Sequence, residues 1–189
     1  IEDDRSSRED WEKPYTDGLK YLGMRFDETR SEPFEGASGV IHPLLGEAVT
    51  QFQAQAYKEL LPAGGPVKTQ VVGAYDSTIE QQAQRVREFM NYQIVHVMEE
   101  YDEDLDQMLF YLPLAGSAFK KVYYDENLQR PVSKFIAPED LIVPYYTTDL
   151  ESCPRITHLI KMPENDVKKL KEIGFYKRTT LEPGDGSYN

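Results

Sequence analysis

The strongest periodic pattern in the chain lies between residues 77 and 101, which read STIEQQAQRVREFMNYQIVHVMEEY. Ser77 and Glu80 have the spacing of a capping box, which marks the start of a helix. Apolar residues then recur every three or four positions, as they do on one face of an α-helix: Ile79, Ala83, Val86, Met90, Ile94, Val97 and Tyr101. The pattern therefore predicts a long amphipathic helix.

This helix has no sequence signal that ends it before Pro113. A single helix over residues 77 to 112 would be roughly 54 Å long at 1.5 Å per residue, which exceeds the span of a compact domain of this size. We therefore expect it to bend or to project. The acidic run at 99–106 favours a bend there, because like charges four residues apart repel each other on a helix.

Weaker patterns flank the long helix. Helical spacing predicts a short helix from Trp11 to Leu22 and another over residues 45 to 60, and residues 67 to 71 alternate as in a short strand. After Gly116, segments 118–124 and 132–136 form a hairpin pattern, followed by strand candidates at 141–146 and 155–162 and a helix that stops at Gly174. The predicted fold class is α+β, with N-terminal helices that include one long helix, a small antiparallel sheet and a terminal helix.

The composition is that of an acidic folded domain. The 189 residues carry 33 acids and 21 basic residues, and 40% of them are hydrophobic, which is enough for a core. Residues 1–10 contain five acids, so we expect a mobile N-terminus before a single domain at 11–178. The net charge of −12 argues against tight binding to nucleic acid, and no apolar run reaches the ~20 residues of a membrane span.

No motif for catalysis, a cofactor or a metal ion has the required spacing. His42, His96 and His158 lie apart, and the single cysteine excludes a cysteine-rich metal site. Residues 102–106 match the first three ligands of a calcium-binding EF-hand loop, but Gln107 and Pro113 replace the required Gly and Glu. A solvated acidic helix face is the simpler interpretation, and we expect neither an enzyme nor a cofactor.

Four basic residues are candidates for contacts between subunits: Arg85, Arg87, Lys120 and Lys121. The two arginines lie on the predicted long helix. The two lysines lie side by side in a predicted strand, where one side chain points outward and the other inward or toward a partner. An equally good explanation of the lysines is that they protect an edge strand from aggregation.

Eight short blocks together resemble the portal (head-to-tail connector) proteins of tailed double-stranded DNA bacteriophages, especially those of short-tailed phages. Their order and spacing carry the resemblance: PFEGAS at 33–38, HPL at 42–44, MNY at 90–92, DQML at 106–109, GSAFKKVY at 116–123, EDL at 139–141, VPY at 143–145 and RITH at 155–158. The resemblance implies a homo-oligomeric ring, typically of twelve subunits, at one capsid vertex in the virion, assembled in the bacterial host cytoplasm.

Such a ring conducts the genome during packaging and ejection, and DNA passes through it without specific binding. The resemblance implies coat and scaffolding proteins as partners, and it implies contacts with terminase and with neck and tail proteins through segments beyond this sequence. Residues 11–178 would be a wing-like domain, and 179–189 a loop leading to the stem and clip. We expect the helix at 77–112 to supply part of the contact between subunits.

Two other functions remain open from the residues. A generic adaptor or scaffold domain would have the same composition and would differ from a portal subunit only in symmetry. An enzyme without a recognisable motif would instead bring catalytic groups together from distant positions in a concave site.

Overall fold

The computed structural model describes residues 1–23, 34–36, 43–73, 76–177 and 180. The chain divides into two compact units, Ile1–Thr157 and His158–Asn189, where the sequence predicted one domain over 11–178. Two sequence predictions lie wholly or mostly outside the described residues: His42 and the segment 179–189. Among the described elements, helices precede a small antiparallel sheet and a terminal helix, so the α+β fold class is confirmed.

Three helices open the first unit: α1 (Glu2–Ser6), α2 (Glu9–Tyr21) and α3 (Leu44–Leu60). The segment at 1–10, which the sequence predicted to be mobile, contains α1 and the start of α2, and the side chains of Asp4 and Arg8 are buried. Charge density alone suggested mobility, whereas two of these charges have partners far along the chain.

The predicted long helix is two helices. Helix α4 (Ser77–Tyr92) continues into one π-helical turn (Gln93–Val97), and α5 (Tyr101–Ala115) begins after a break at Met98. The break therefore comes at the start of the acidic run. Three acids of that run occupy the first turn of α5, where the helix dipole favours negative charge, so they begin a helix rather than repel one another within it. Gly116, with a φ of +77°, ends α5.

The predicted hairpin is confirmed. Strands β1 (Phe119–Asp125) and β2 (Arg130–Ile136) pair antiparallel, with Phe119 opposite Ile136 and Asp125 opposite Arg130. The two later strands are shorter than predicted: β3 is Leu141–Ile142, and β4 is Thr157–His158, with which β3 forms a second two-stranded sheet. In the second unit, α6 (Glu164–Glu172) confirms the predicted terminal helix.

Helix α5 organises the first unit. It packs against α2, α3 and β2, and its Leu105 and Leu109 are buried. Tyr15 and Leu19 of α2 form a buried cluster with Ala115 at the end of α5. A Cβ on Gly18 of α2 would come within 2.5 Å of the Leu114 side chain, so the glycine allows the close approach of the two helices.

The strand predicted at 67–71 is absent from the strands that the structure describes. The segment has no regular secondary structure, and its polar groups bond to helix α4 instead. An irregular segment that packs on a helix can show the same alternation of apolar and polar residues, so the pattern alone did not distinguish it from a strand.

Candidate functional site

Hydrogen bonds connect the N-terminal helices to the segment after β2. Arg8 is 6% exposed, and its guanidinium donates hydrogen bonds to the backbone carbonyl oxygens of Pro138 (3.1 Å), Glu139 (2.8 Å) and Leu141 (3.0 Å). Trp11 lies under the same guanidinium at 5.5 Å and donates its indole N–H to the Ala115 carbonyl at 2.8 Å. These contacts connect residues more than 100 positions apart.

A second contact of the N-terminus is an ion pair. The Asp4 carboxylate accepts two hydrogen bonds from the Arg155 guanidinium, at 2.7 and 3.1 Å. The hydrogen bond from Arg155 holds the pKa of Asp4 below its usual value, because it stabilises the charged carboxylate. Arg155 belongs to the RITH block, so this residue has a structural role within the unit.

Acids at the start of α5 bond to the edge of β2 that β1 leaves open. The backbone N–H of Ser133 donates to Glu100 at 3.0 Å, and that of Phe135 donates to Asp104 at 2.9 Å. Arg130 also pairs with Glu100 at 2.6 Å. Burial alone would raise the pKa of Glu100, but the hydrogen bonds from Arg130 and Ser133 hold it below its usual value. The carboxylates thus replace a third strand.

These contacts also explain the acidic run that partly matches a calcium loop. Asp102 accepts a hydrogen bond from the hydroxyl of Tyr57, Asp104 bonds to β2, and Asp106 accepts one from Gln53 at 2.8 Å. The hydrogen bond to Asp102 raises the pKa of Tyr57 to about 12. Asp102 and Asp106 therefore bond to α3, and Asp104 bonds to β2. Within the described residues, no three His, Cys, Asp or Glu side chains form a group that could hold a metal ion.

The two lysines proposed as interface residues have different environments in the structure. The Lys120 ammonium lies 3.7 Å from the centre of the Tyr101 ring, and burial lowers its pKa while Asp104 and Glu100 oppose that shift. Lys121 is exposed, with its ammonium 5.2 Å from the Tyr123 ring. Lys120 therefore packs on α5, whereas Lys121 is exposed at the surface, and the subunit contact of either lysine stays a prediction.

Arg85 and Arg87 are exposed on α4, in a part of the unit that we call the α4 arm, residues 67–73 and 76–97. Asn91 of α4 holds Val67 by two hydrogen bonds, accepting from its N–H at 2.9 Å and donating to its carbonyl at 3.2 Å. The Thr69 hydroxyl donates to the Ala83 carbonyl at 3.0 Å. The side-chain amide of Asn91 thus takes the place of a neighbouring strand.

The α4 arm exposes an apolar face. No residue of α4 is buried, although the helix has a clear apolar stripe. Val86 and Phe89 are 50% and 62% exposed, and Ile79 and Met90 are also exposed. We call these four residues the arm face. The helix pattern identified the stripe from sequence, but nothing in the sequence showed that the stripe would be exposed among the residues that the structure describes.

The described residues contain no helix that is long and apolar enough to cross a membrane. No family model, curated protein or solved structure matches the chain. The resemblance to portal proteins consequently rests on the short sequence blocks, of which those at 33–38 and 42–44 fall partly outside the described residues.

Proposed function

We propose that the chain is a non-enzymatic structural subunit of a phage portal ring, located in the virion at the capsid vertex. The ring would conduct DNA during packaging and ejection and would support the neck and tail, with coat and scaffolding proteins as neighbours. The ordered sequence blocks motivate the proposal, and it requires no cofactor.

The observation that carries the proposal is the exposed arm face. A contiguous apolar surface on a folded protein usually marks a site where another molecule binds. In a ring, each subunit uses two different surfaces, one for each neighbour. An arm with an apolar face on one side of the subunit supplies one of these surfaces, and the rest of the subunit supplies the other.

The charge distribution supports the same arrangement. Between residues 62 and 97 the chain carries three basic residues and three acids, whereas the whole chain has a net charge of −12. The region around the arm face is therefore neutral, and Arg85 places a positive charge near that face. The electrostatic repulsion between this neutral region and the acidic surface of a second copy is weaker than the repulsion between two acidic surfaces.

The test replaces the arm face without disturbing the fold of one subunit. Phe89→Asp should abolish rings in negative-stain images of the protein expressed from its entire reading frame, because an aspartate in a buried apolar contact loses its hydration. The unfolding midpoint of the dissociated subunit should stay unchanged, since Phe89 is exposed within it. Leu128→Asp in the β1–β2 turn, where Leu128 is also exposed, is the matched control and should retain rings.

The arm face also favours a second candidate, an adaptor that uses this surface to bind a different protein. An adaptor predicts no rings for the unmodified protein at any concentration. Rings that persist in Phe89→Asp would instead show that the arm face is not the contact between subunits.

A further inference from the structure

A second surface of the α4 arm has a different chemistry. An open cavity of about 580 Å³ lies between α4 and the turn at 62–65. Its lining includes the basic side chains of Lys68 and Arg87 together with His96, against one acid, Glu88. This composition is opposite to that of the chain, in which acids outnumber basic residues by 33 to 21.

Within the described part of the chain, the basic groups of the cavity have no acidic partner. No ion pair joins Lys68 or Arg87 to an acid among the described residues. The carboxylate of Glu88 accepts a hydrogen bond from Gln84 at 2.9 Å, one turn earlier on the helix. The cavity therefore presents unpaired positive charge, which favours an anionic ligand.

Hydrogen bonds to α4 fix the backbone segment that carries Lys68. The two hydrogen bonds between Asn91 and Val67 fix the backbone next to Lys68 against α4. Gly65 has a φ of +89°, and a Cβ there would collide with the Asn91 side chain, so the turn can approach the helix only with glycine at this position. Neighbouring Gly64 leaves the backbone open toward the cavity.

The cavity also has an aromatic side. Tyr92 and His96 lie one turn apart on the helix, with their ring centres 5.3 Å apart. Tyr92 is more than half exposed, so its ring is available for stacking. An aromatic surface beside positively charged groups is the combination by which proteins bind nucleotides, with the base on the ring and the phosphate on the basic groups.

We infer that this cavity binds the phosphate of a nucleotide, with Arg87 and Lys68 on the phosphate and the base against Tyr92. The inference does not depend on the proposed ring, because all of the residues involved belong to one subunit. The phosphate belongs either to a free nucleotide or to a nucleic-acid strand, and both sources offer the same groups to the cavity.

Calorimetric titration of the whole chain with AMP tests the inference. Saturable binding is expected, with inorganic phosphate competing more weakly and adenosine not binding. Arg87→Gln and Lys68→Gln should each weaken AMP binding by about tenfold, the typical effect of losing one charge-assisted hydrogen bond. Arg85→Gln is the matched control, because Arg85 lies on the same helix but does not line the cavity, and it should change the affinity less than about twofold.

Three results would overturn the inference: no saturable binding of AMP, adenosine binding as tightly as AMP, or equal effects of Arg85→Gln and Arg87→Gln. The same titration with a single-stranded thymidine 12-mer separates the two sources. If the 12-mer binds more tightly than AMP and its affinity depends on Arg87 in the same way, the ligand is a nucleic-acid strand. If the 12-mer binds equally or more weakly, the ligand is a free nucleotide. The site itself is supported in both cases.

Discussion

Replacing Arg8 by Met should destabilise the first unit strongly. The substitution removes three hydrogen bonds from a charged group and leaves the carbonyl oxygens of Pro138, Glu139 and Leu141 without their donors. Two of these bonds are buried, and hydrogen bonds to charged groups contribute about 1.5–3 kcal/mol each. Methionine fills much of the space, so the cavity term is small. We expect a loss of about 3 kcal/mol in the free energy of unfolding.

Urea denaturation followed by the fluorescence of Trp11, the single tryptophan, measures this loss directly, since Trp11 lies under the Arg8 guanidinium. Arg5→Met is the matched control, because Arg5 is exposed one turn earlier and should cost less than about 0.5 kcal/mol. Arg8→Lys keeps the charge but cannot reach all three carbonyls, so its effect should be intermediate. Equal stabilities of Arg8→Met and Arg5→Met would refute the docking of the N-terminus and would restore the sequence-based expectation that it is mobile.

Two further predictions concern Asp4 and Asn91. The pKa of Asp4 is lowered in the folded state, so its ion pair stabilises the fold above the ordinary carboxyl pKa of about 3.9 and this contribution is lost as the pH falls through the lower folded value. Asp4→Asn should therefore lower the urea midpoint at pH 7, and the difference from the unmodified chain should shrink at about pH 3; the same difference at both pH values would contradict this role. Asn91→Ala should lower the hydrogen-exchange protection of the Val67 amide by about tenfold, the equivalent of one hydrogen bond, whereas Gln82→Ala, an exposed change on the same helix, should leave that protection unchanged.

Local patterns in the sequence predicted most of the secondary structure. The hairpin of β1 and β2, helices α2, α3 and α6, and a break near the acidic run all follow from the spacing of apolar residues and from turn residues. Such features depend on neighbours within a few positions, which a single sequence displays.

Contacts between distant residues were not predictable in this way. Arg8 bonds to carbonyls about 130 positions away, and Asn91 substitutes for a strand beside Val67. Each of these side chains forms hydrogen bonds with distant backbone groups, and no sequence pattern predicts such bonds. Lys120 shows the same limit, because only the packing of β1 near Tyr101 determines which of two adjacent lysines faces inward.

The candidate site was predicted in part. The sequence identified the apolar stripe of α4 and the arginines beside it, but not the exposure of that stripe, which depends on what the rest of the chain leaves uncovered. Lys68 and Arg87 are 19 positions apart in sequence, and the turn at Gly65 brings them to one cavity.

Native mass spectrometry of the protein expressed from its entire reading frame tests the ring most directly. The proposed function predicts a closed assembly of about a dozen copies for the unmodified protein and single subunits for Phe89→Asp. A single subunit at every protein concentration for the unmodified protein would contradict the portal ring and would favour the adaptor.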